Sequence, residues 1–210
     1  AYAVGAKAVI HTVNARDFEA KNTDYSVHDK FYGIIMPGGF DESAIEDKLN
    51  VIRYARENKI PYFGLCYGMQ LMTIEYARNV LDLKGAQTAE INPRAPHVVI
   101  DIMPDQKKLI AAGNYGGSMR LGTYTAKLAK GSVAESAYGA KLIKERHRHR
   151  YEVNPKYVDR LEKGGLVFSG KSPDGVLMEI AELPKSQHPF FLGTQFHPEF
   201  LARPLSPHPL

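Results

Sequence analysis

Cysteine is almost missing from this chain, which has a single one, Cys66, among 210 residues. A lone thiol excludes an internal disulfide framework and fits a reducing compartment, so a cytoplasmic location is expected. Long apolar runs are missing as well. Every hydrophobic stretch is short and broken by glycine, proline or charge, so neither a secretory leader nor a membrane span is expected. Repeats and low-complexity tracts are absent. Nor does one sign of charge dominate: 27 Lys and Arg against 23 Asp and Glu leave a net charge of +4, mostly interspersed, and nothing in that balance requires a nucleic-acid partner. The local exception is Lys144-Glu145-Arg146-His147-Arg148-His149-Arg150. Its alternation continues into Tyr151-Glu152-Val153, which predicts a strand with arginines on one face and histidines on the other. Aromatic residues interleaved for base stacking are lacking there. An anionic small molecule, or pairing with acidic neighbours, is the more economical use of those cations.

What is present is enough apolar content, 44%, for one domain, or one domain with an insertion. Strand-like segments at 7–12, 31–36 and 61–65 alternate with helical ones at 43–58 and 68–80. In the first helix Ile45, Leu49, Ile52 and Ala55 recur at helical spacing, with Asp41 or Ser43 available as the cap. Such alternation predicts an α/β fold with a mostly parallel central sheet flanked by helices. After residue 85 the texture turns β-rich, with segments at 97–102, 124–128, 146–153, 166–169, 177–181 and 191–196, which makes a mixed sheet the expectation. Asn154-Pro155 opens a helix to about residue 163, stopped by Gly164-Gly165. Residues 105–117 read as a mobile loop.

The chemistry concentrates in two places. Gly64-Leu65-Cys66-Tyr67-Gly68 lies between Ile60-Pro61-Tyr62-Phe63 and Met69-Gln70-Leu71-Met72, a strand, sharp turn and helix with the cysteine on the turn. Flanking glycines permit an elbow that holds a nucleophile clear of the sheet edge. At a helix N-terminus a depressed thiol pKa is expected. A small buried residue in a tight turn would give the same short pattern. Near the other end, an apolar run leads into His197-Pro198-Glu199. On an extended segment these two side chains share a side, so the carboxylate can fix the imidazole tautomer and leave the other nitrogen for a thiol proton. A surface turn would also read this way, and seven of the 8 histidines compete for the role; the combination Cys66, His197 and Glu199 is what makes a candidate triad. Pro37-Gly38-Gly39 follows a predicted strand and falls on the same rim, at the carboxyl ends of the strands. The backbone N–H groups of Tyr67 and Gly39 would form the oxyanion hole, glycine permitting close approach.

With Pro37-Gly38-Gly39-Phe40, Gly64-Leu65-Cys66-Tyr67-Gly68-Met69-Gln70 and His197-Pro198-Glu199 in this order, the chain resembles the class I (triad) glutamine amidotransferases. Gly116-Gly117-Ser118-Met119-Arg120-Leu121-Gly122, the stretch 145–154 and His197-Pro198-Glu199-Phe200-Leu201-Ala202-Arg203-Pro204 are similar to the glutaminase domain of the CTP synthase family, over nearly the whole chain. The resemblance implies a flavodoxin-like amidotransferase fold with added β-rich segments over residues 1–210, the family's N-terminal amidoligase domain lying outside the chain. It implies hydrolysis of L-glutamine through a Cys66 thioester, with Gly39, Gln70, Glu90, Arg150 and Tyr151 binding the substrate. It further implies no cofactor or metal in this domain, ATP and Mg2+ at the amidoligase site that aminates UTP, GTP as activator, and a homo-oligomeric full-length enzyme. Asp41-Glu42-Ser43-Ala44 departs from the family pattern where GTP sensing is concerned. Tyr67 stands where leucine is common, a change that leaves its N–H in place. A cysteine hydrolase or peptidase of the same fold, the glutaminase subunit of another amidotransferase, and a non-catalytic anion-binding module are the alternatives. Gln70, Glu90 and Arg150 discriminate, since a peptidase needs no pocket for both charged ends of a free amino acid.

Overall fold

The computed structural model describes residues 5–14, 31–39, 43–103, 106 and 119–210. In chain order the elements are β1 (Ile34–Met36), α1 (Ile45–Glu57), β2 (Tyr62–Leu65), α2 (Tyr67–Asn79), β3 (Ala86–Thr88), β4 (His97–Ile102), β5 (Arg120–Leu128), α3 (Val133–Tyr138), β6 (Leu142–His149), β7 (Tyr151–Val153), α4 (Pro155–Lys163), β8 (Val167–Lys171), β9 (Met178–Glu182) and β10 (Phe191–Thr194), followed by a 3-10 turn at Pro198–Phe200. A seven-stranded sheet runs in the order β1-β2-β10-β9-β8-β5-β6, and β3-β4-β7 form a second sheet.

The α/β class and mixed character expected from the sequence both hold, but the large sheet is mostly antiparallel, not mostly parallel as expected. In the large sheet the parallel pairings are confined to β1–β2 and β2–β10; β9, β8, β5 and β6 join antiparallel. The short connections from β8 through β10 leave no room for a helical crossover and so favour antiparallel neighbours. The parallel strands are nevertheless the ones that matter chemically, because β2 ends at Leu65 and β10 at Thr194, side by side. Helix α1 buries Ile45, Leu49, Ile52 and Ala55 as its spacing predicts, against α2, which is buried along nearly its whole length.

Several expectations are corrected. Residues 7–12 are exposed and carry no strand, because no ladder pairs with them among the described residues. The cap of α1 is Ala44, at φ 54 and without a side-chain hydrogen bond, rather than Ser43; Asp41 and most of the expected loop at 105–117 lie outside the described residues. The predicted strand at 146–153 is broken at Arg150, β6 belonging to the large sheet and β7 to the small one. Within β6 the alternation holds: Lys144, Arg146 and Arg148 are exposed, while Glu145, His147 and His149 are buried. Helix α3 has only six residues, too few for a periodic signal. It is set by Ser132, which accepts from the Glu135 N–H, and by Glu182, whose carboxylate accepts from the N–H groups of Val133 and Ala134. None of the described helices is long and apolar enough to cross a membrane.

Candidate active site

Cys66 occupies the single residue between β2 and α2, with φ 50 and ψ −97. Positive φ on a residue with a side chain is strained, and such strain persists only where the surroundings hold it. Here the Cys66 N–H donates to the Thr194 carbonyl at 2.6 Å, on the neighbouring end of β10, and the Gln70 N–H returns to the Cys66 carbonyl at 3.2 Å. The flanking glycines serve close packing. A side chain at Gly64 would come within 2.7 Å of the Gly68 carbonyl carbon, and one at Gly68 would collide with the Met36 carbonyl oxygen on β1. Strand, helix and neighbouring strand therefore meet at the elbow because those two positions lack Cβ atoms.

His197 arrives from the other side of β2. Its N–H donates to the Arg146 carbonyl at 2.9 Å, and its backbone is extended at φ −110. The chain then turns into the 3-10 helix, which brings Glu199 back so that its Oε1 lies 2.6 Å from His197 Nδ1. The i, i+2 relation expected of an extended segment is thus met by a turn. Phe200 stacks on the imidazole at 4.6 Å and 9°, fixing its plane. The other nitrogen, Nε2, is buried and has no hydrogen-bond partner among the described residues. A side chain placed on Gly38 would stand 2.9 Å from His197 Cε1 and 3.6 Å from Cys66 Cβ. Imidazole and nucleophile therefore converge over Gly38, and Gly38 is the position where a Cβ is sterically excluded. A side chain placed on Gly39, to which the sequence assigns close approach by the oxyanion, would make only ordinary contact with the Tyr67 ring, at 3.9 Å.

A depressed thiol pKa is not what the structure gives. Burial pushes the Cys66 thiol up to about 12, and the Glu152 carboxylate adds to the rise; the Tyr67 N–H and the Gln195 amide act the other way but do not prevail. The helix terminus is outweighed because the sulfur is almost sealed from water and faces a carboxylate. The resting nucleophile is a thiol, and its proton must be taken at the moment of attack.

Of the remaining residues named from the sequence, Gln70 is linked to this centre through Gln195. Gln70 is buried rather than solvated, and its amide donates to the Tyr151 carbonyl at 3.0 Å and to Gln195 Oε1 at 3.3 Å. Glu90 follows β3, where its N–H donates to Thr88 Oγ1. Thr88 and Val153 both pair with Ile100, and Tyr151 pairs with Ile102, so the chain leaving β3 toward Glu90 runs to the end of the small sheet that carries Tyr151. Arg150 sits at the break between β6 and β7, half-buried. No group of three or more His, Cys, Asp or Glu able to hold a metal occurs among the described residues.

Sequence reasoning missed two features. Gln195, fully buried, reaches Cys66 Sγ with Nε2 at 3.6 Å; its position two residues before His197 on one extended segment was the available signal. Behind the elbow lies a buried ionic network. Arg120 holds Glu179 with two bonds of 2.8 and 3.1 Å and approaches Glu152 and His147 at 3.4 Å, and His147 is linked to His149 at 2.9 Å. Its members come from four strands, so no local pattern announces it.

Glu199 is half-exposed, and an amide in its place can still contact Nδ1 while stabilising the imidazolium less. Glu199→Gln is expected to retain part of the glutaminase activity, with a loss smaller than the roughly 10²–10⁴-fold contributed by a general base. Steady-state glutamate release checks this, and an undiminished rate would assign the orienting role elsewhere.

Elbow, imidazole and carboxylate on the rim of this sheet define a class of acyl-transfer enzymes, and comparison with known proteins agrees. The chain matches Glutamine amidotransferase class-I over residues 1–210 and belongs to that family. Within it, the chain is the glutaminase domain of a CTP synthase. It is 50% identical over 209 residues to the CTP synthase of Shouchella clausii and 51% identical over 209 residues to that of Halalkalibacterium halodurans. All of this chain is covered in both cases but only 38% of each relative, so the chain spans well under half of their length. The solved Trypanosoma brucei CTPS glutaminase domain with bound acivicin superposes with a TM-score of 0.89 at 34% identity, covering 99% of this chain and 79% of that one.

Proposed function

We propose that Cys66, His197 and Glu199 hydrolyse L-glutamine and that the ammonia released aminates UTP to CTP at an amidoligase domain of the full-length enzyme. The observation that carries this reading is the buried, unpartnered Nε2 of His197, an imidazole that meets Cys66 over Gly38 and has Nδ1 held by Glu199. His197 Nε2 takes the thiol proton as Sγ attacks the side-chain carbonyl carbon of glutamine. The oxyanion is received by the N–H groups of Tyr67 and Gly39. Collapse breaks the C–N bond, the imidazolium returns the proton to the leaving nitrogen, and ammonia departs. Water, deprotonated at His197, then attacks the γ-glutamyl thioester, and glutamate leaves as Cys66 regains its proton. Gln70, Glu90, Arg150 and Tyr151 hold the amino and carboxylate ends of the substrate. This domain takes no cofactor or metal; ATP and Mg2+ serve the amidoligase site, and GTP is the activator. The exposed Lys144, Arg146 and Arg148, with Leu121 beside them on β5, are the face we assign to that domain junction. The full-length enzyme works as a cytoplasmic homo-oligomer.

The test is covalent labelling by a chloro-dihydroisoxazole analogue of glutamine, followed by mass mapping. The label is expected on Cys66. In Arg150→Ala, loss of a charge-assisted contact to the analogue's carboxylate, worth ~1.5–3 kcal/mol, is expected to slow that labelling about tenfold or more. Alkylation by uncharged iodoacetamide should change little. Equal slowing of both reactions would remove Arg150 from the pocket, and label on any residue but Cys66 would remove the triad.

A further inference from the structure

Gln195 extends β10 toward His197, its backbone N–H held by the Glu179 carbonyl at 2.8 Å and its side chain fully buried. The side chain faces two partners: Nε2 points at Cys66 Sγ, 3.6 Å away, and Oε1 accepts from Gln70 Nε2 at 3.3 Å. The second proton of the Gln70 amide goes to the Tyr151 carbonyl at 3.0 Å. This fixes the orientation of the Gln195 amide. Turning it over would set its NH2 against the NH2 of Gln70, donor against donor, and present a carbonyl oxygen to the sulfur.

We infer that Gln195 is the donor that stays on the Cys66 sulfur throughout the reaction, and that it couples the nucleophile to the glutamine pocket through the chain Tyr151–Gln70–Gln195–Cys66. The inference deepens the glutaminase reading and rests on it for the identity of the pocket. Its logic is one of competing demands. In the resting site two donors face the sulfur, the Tyr67 N–H and the Gln195 amide, while burial and Glu152 oppose a negative charge there. Once the oxyanion forms, the Tyr67 N–H is required by oxygen and cannot serve sulfur as well. The thiolate that leaves when water cleaves the thioester then has Gln195 as its hydrogen-bond donor until the His197 imidazolium returns the proton. Because Gln195 is locked by Gln70, a residue of the proposed pocket, whatever fills the pocket acts on the sulfur through one intervening side chain.

Iodoacetamide alkylation of Cys66 reads this without glutamine, so its outcome is independent of the substrate assignment. At pH 8, Gln195→Met is expected to alkylate about tenfold more slowly, the equivalent of one pKa unit. Gln70→Met should be slower by about threefold, since it frees Gln195 to rotate. In the double variant the two effects should not multiply, the rate staying within about twofold of Gln195→Met, because both act on one contact. Thermal melts accompany each variant. Should Gln195→Met not melt cooperatively, Gln195→Leu removes the donor with a different apolar side chain, and it should also alkylate about tenfold more slowly. Parent-like alkylation in either folded Gln195 variant would overturn the donor role. An unaffected Gln70→Met, or multiplied effects in the double variant, would overturn the coupling.

Discussion

Cys66→Ser is expected to reduce glutamine hydrolysis by at least about 10⁴-fold and to leave the melting temperature almost unchanged. The side chains are close in size, and the contact that sets the elbow is made by the backbone, from the Cys66 N–H to the Thr194 carbonyl. The strained φ of 50 is common to both residues, so folding has little to lose. Chemistry has much to lose. The thiol already resists ionisation, with burial and Glu152 holding it at about 12, and reaction proceeds because His197 draws the proton as sulfur attacks. A hydroxyl starts from a far higher pKa and is a weaker nucleophile in the same setting. Glutamate and ammonia release, measured beside a thermal melt, separates the two effects. Undiminished glutamate production by the serine variant would remove Cys66 from the reaction, and a collapse of the melt would show that the sulfur holds the elbow together.

What could be read in advance was whatever neighbouring residues settle among themselves. Gly64 and Gly68 around Cys66 specify an elbow because a Cβ at either position strikes backbone within the same strand–helix unit or on β1. Pro155 behind Asn154 specifies the start of α4, where Asn154 accepts from the Lys156 N–H. The two-faced pattern of β6 survives because one side of the strand is covered and the other is not. Long-range consequences stayed hidden. The break at Arg150 depends on β7 finding β4 rather than continuing in the larger sheet. The thiol pKa depends on Glu152, distant in sequence, and on how completely the fold excludes water. The steric requirement at Gly38 was hidden because His197, from the far end of the chain, comes to rest against it.

Arg120→Met is expected to destabilise the fold by about 3–5 kcal/mol at pH 7, the usual loss when one partner of a buried ion pair is removed. Methionine keeps much of the apolar stem, and what disappears is the charge that Glu179 and Glu152 share, both carboxylates being nearly sealed from solvent. Contact of the guanidinium with the Tyr124 ring, 4.2 Å away, is lost too. The pH dependence marks this origin. Burial, and then the Arg120 charge, pull His147 down to about 2 and His149 to about 3. Both are therefore neutral in the folded parent while the unfolded chain protonates near 6.5, so their contribution is complete above that pH and is lost as pH falls below it. Without Arg120 the two imidazoles take protons more readily and can pair with Glu179 and Glu152, which themselves accept protons more easily once the cation is gone. The variant's deficit should therefore shrink between pH 7 and pH 5, as read from denaturant unfolding at both values. A deficit below about 1 kcal/mol at pH 7 would mean that other groups neutralise the two carboxylates. An equal deficit at both pH values would trace the loss to packing of the arginine stem rather than to its charge.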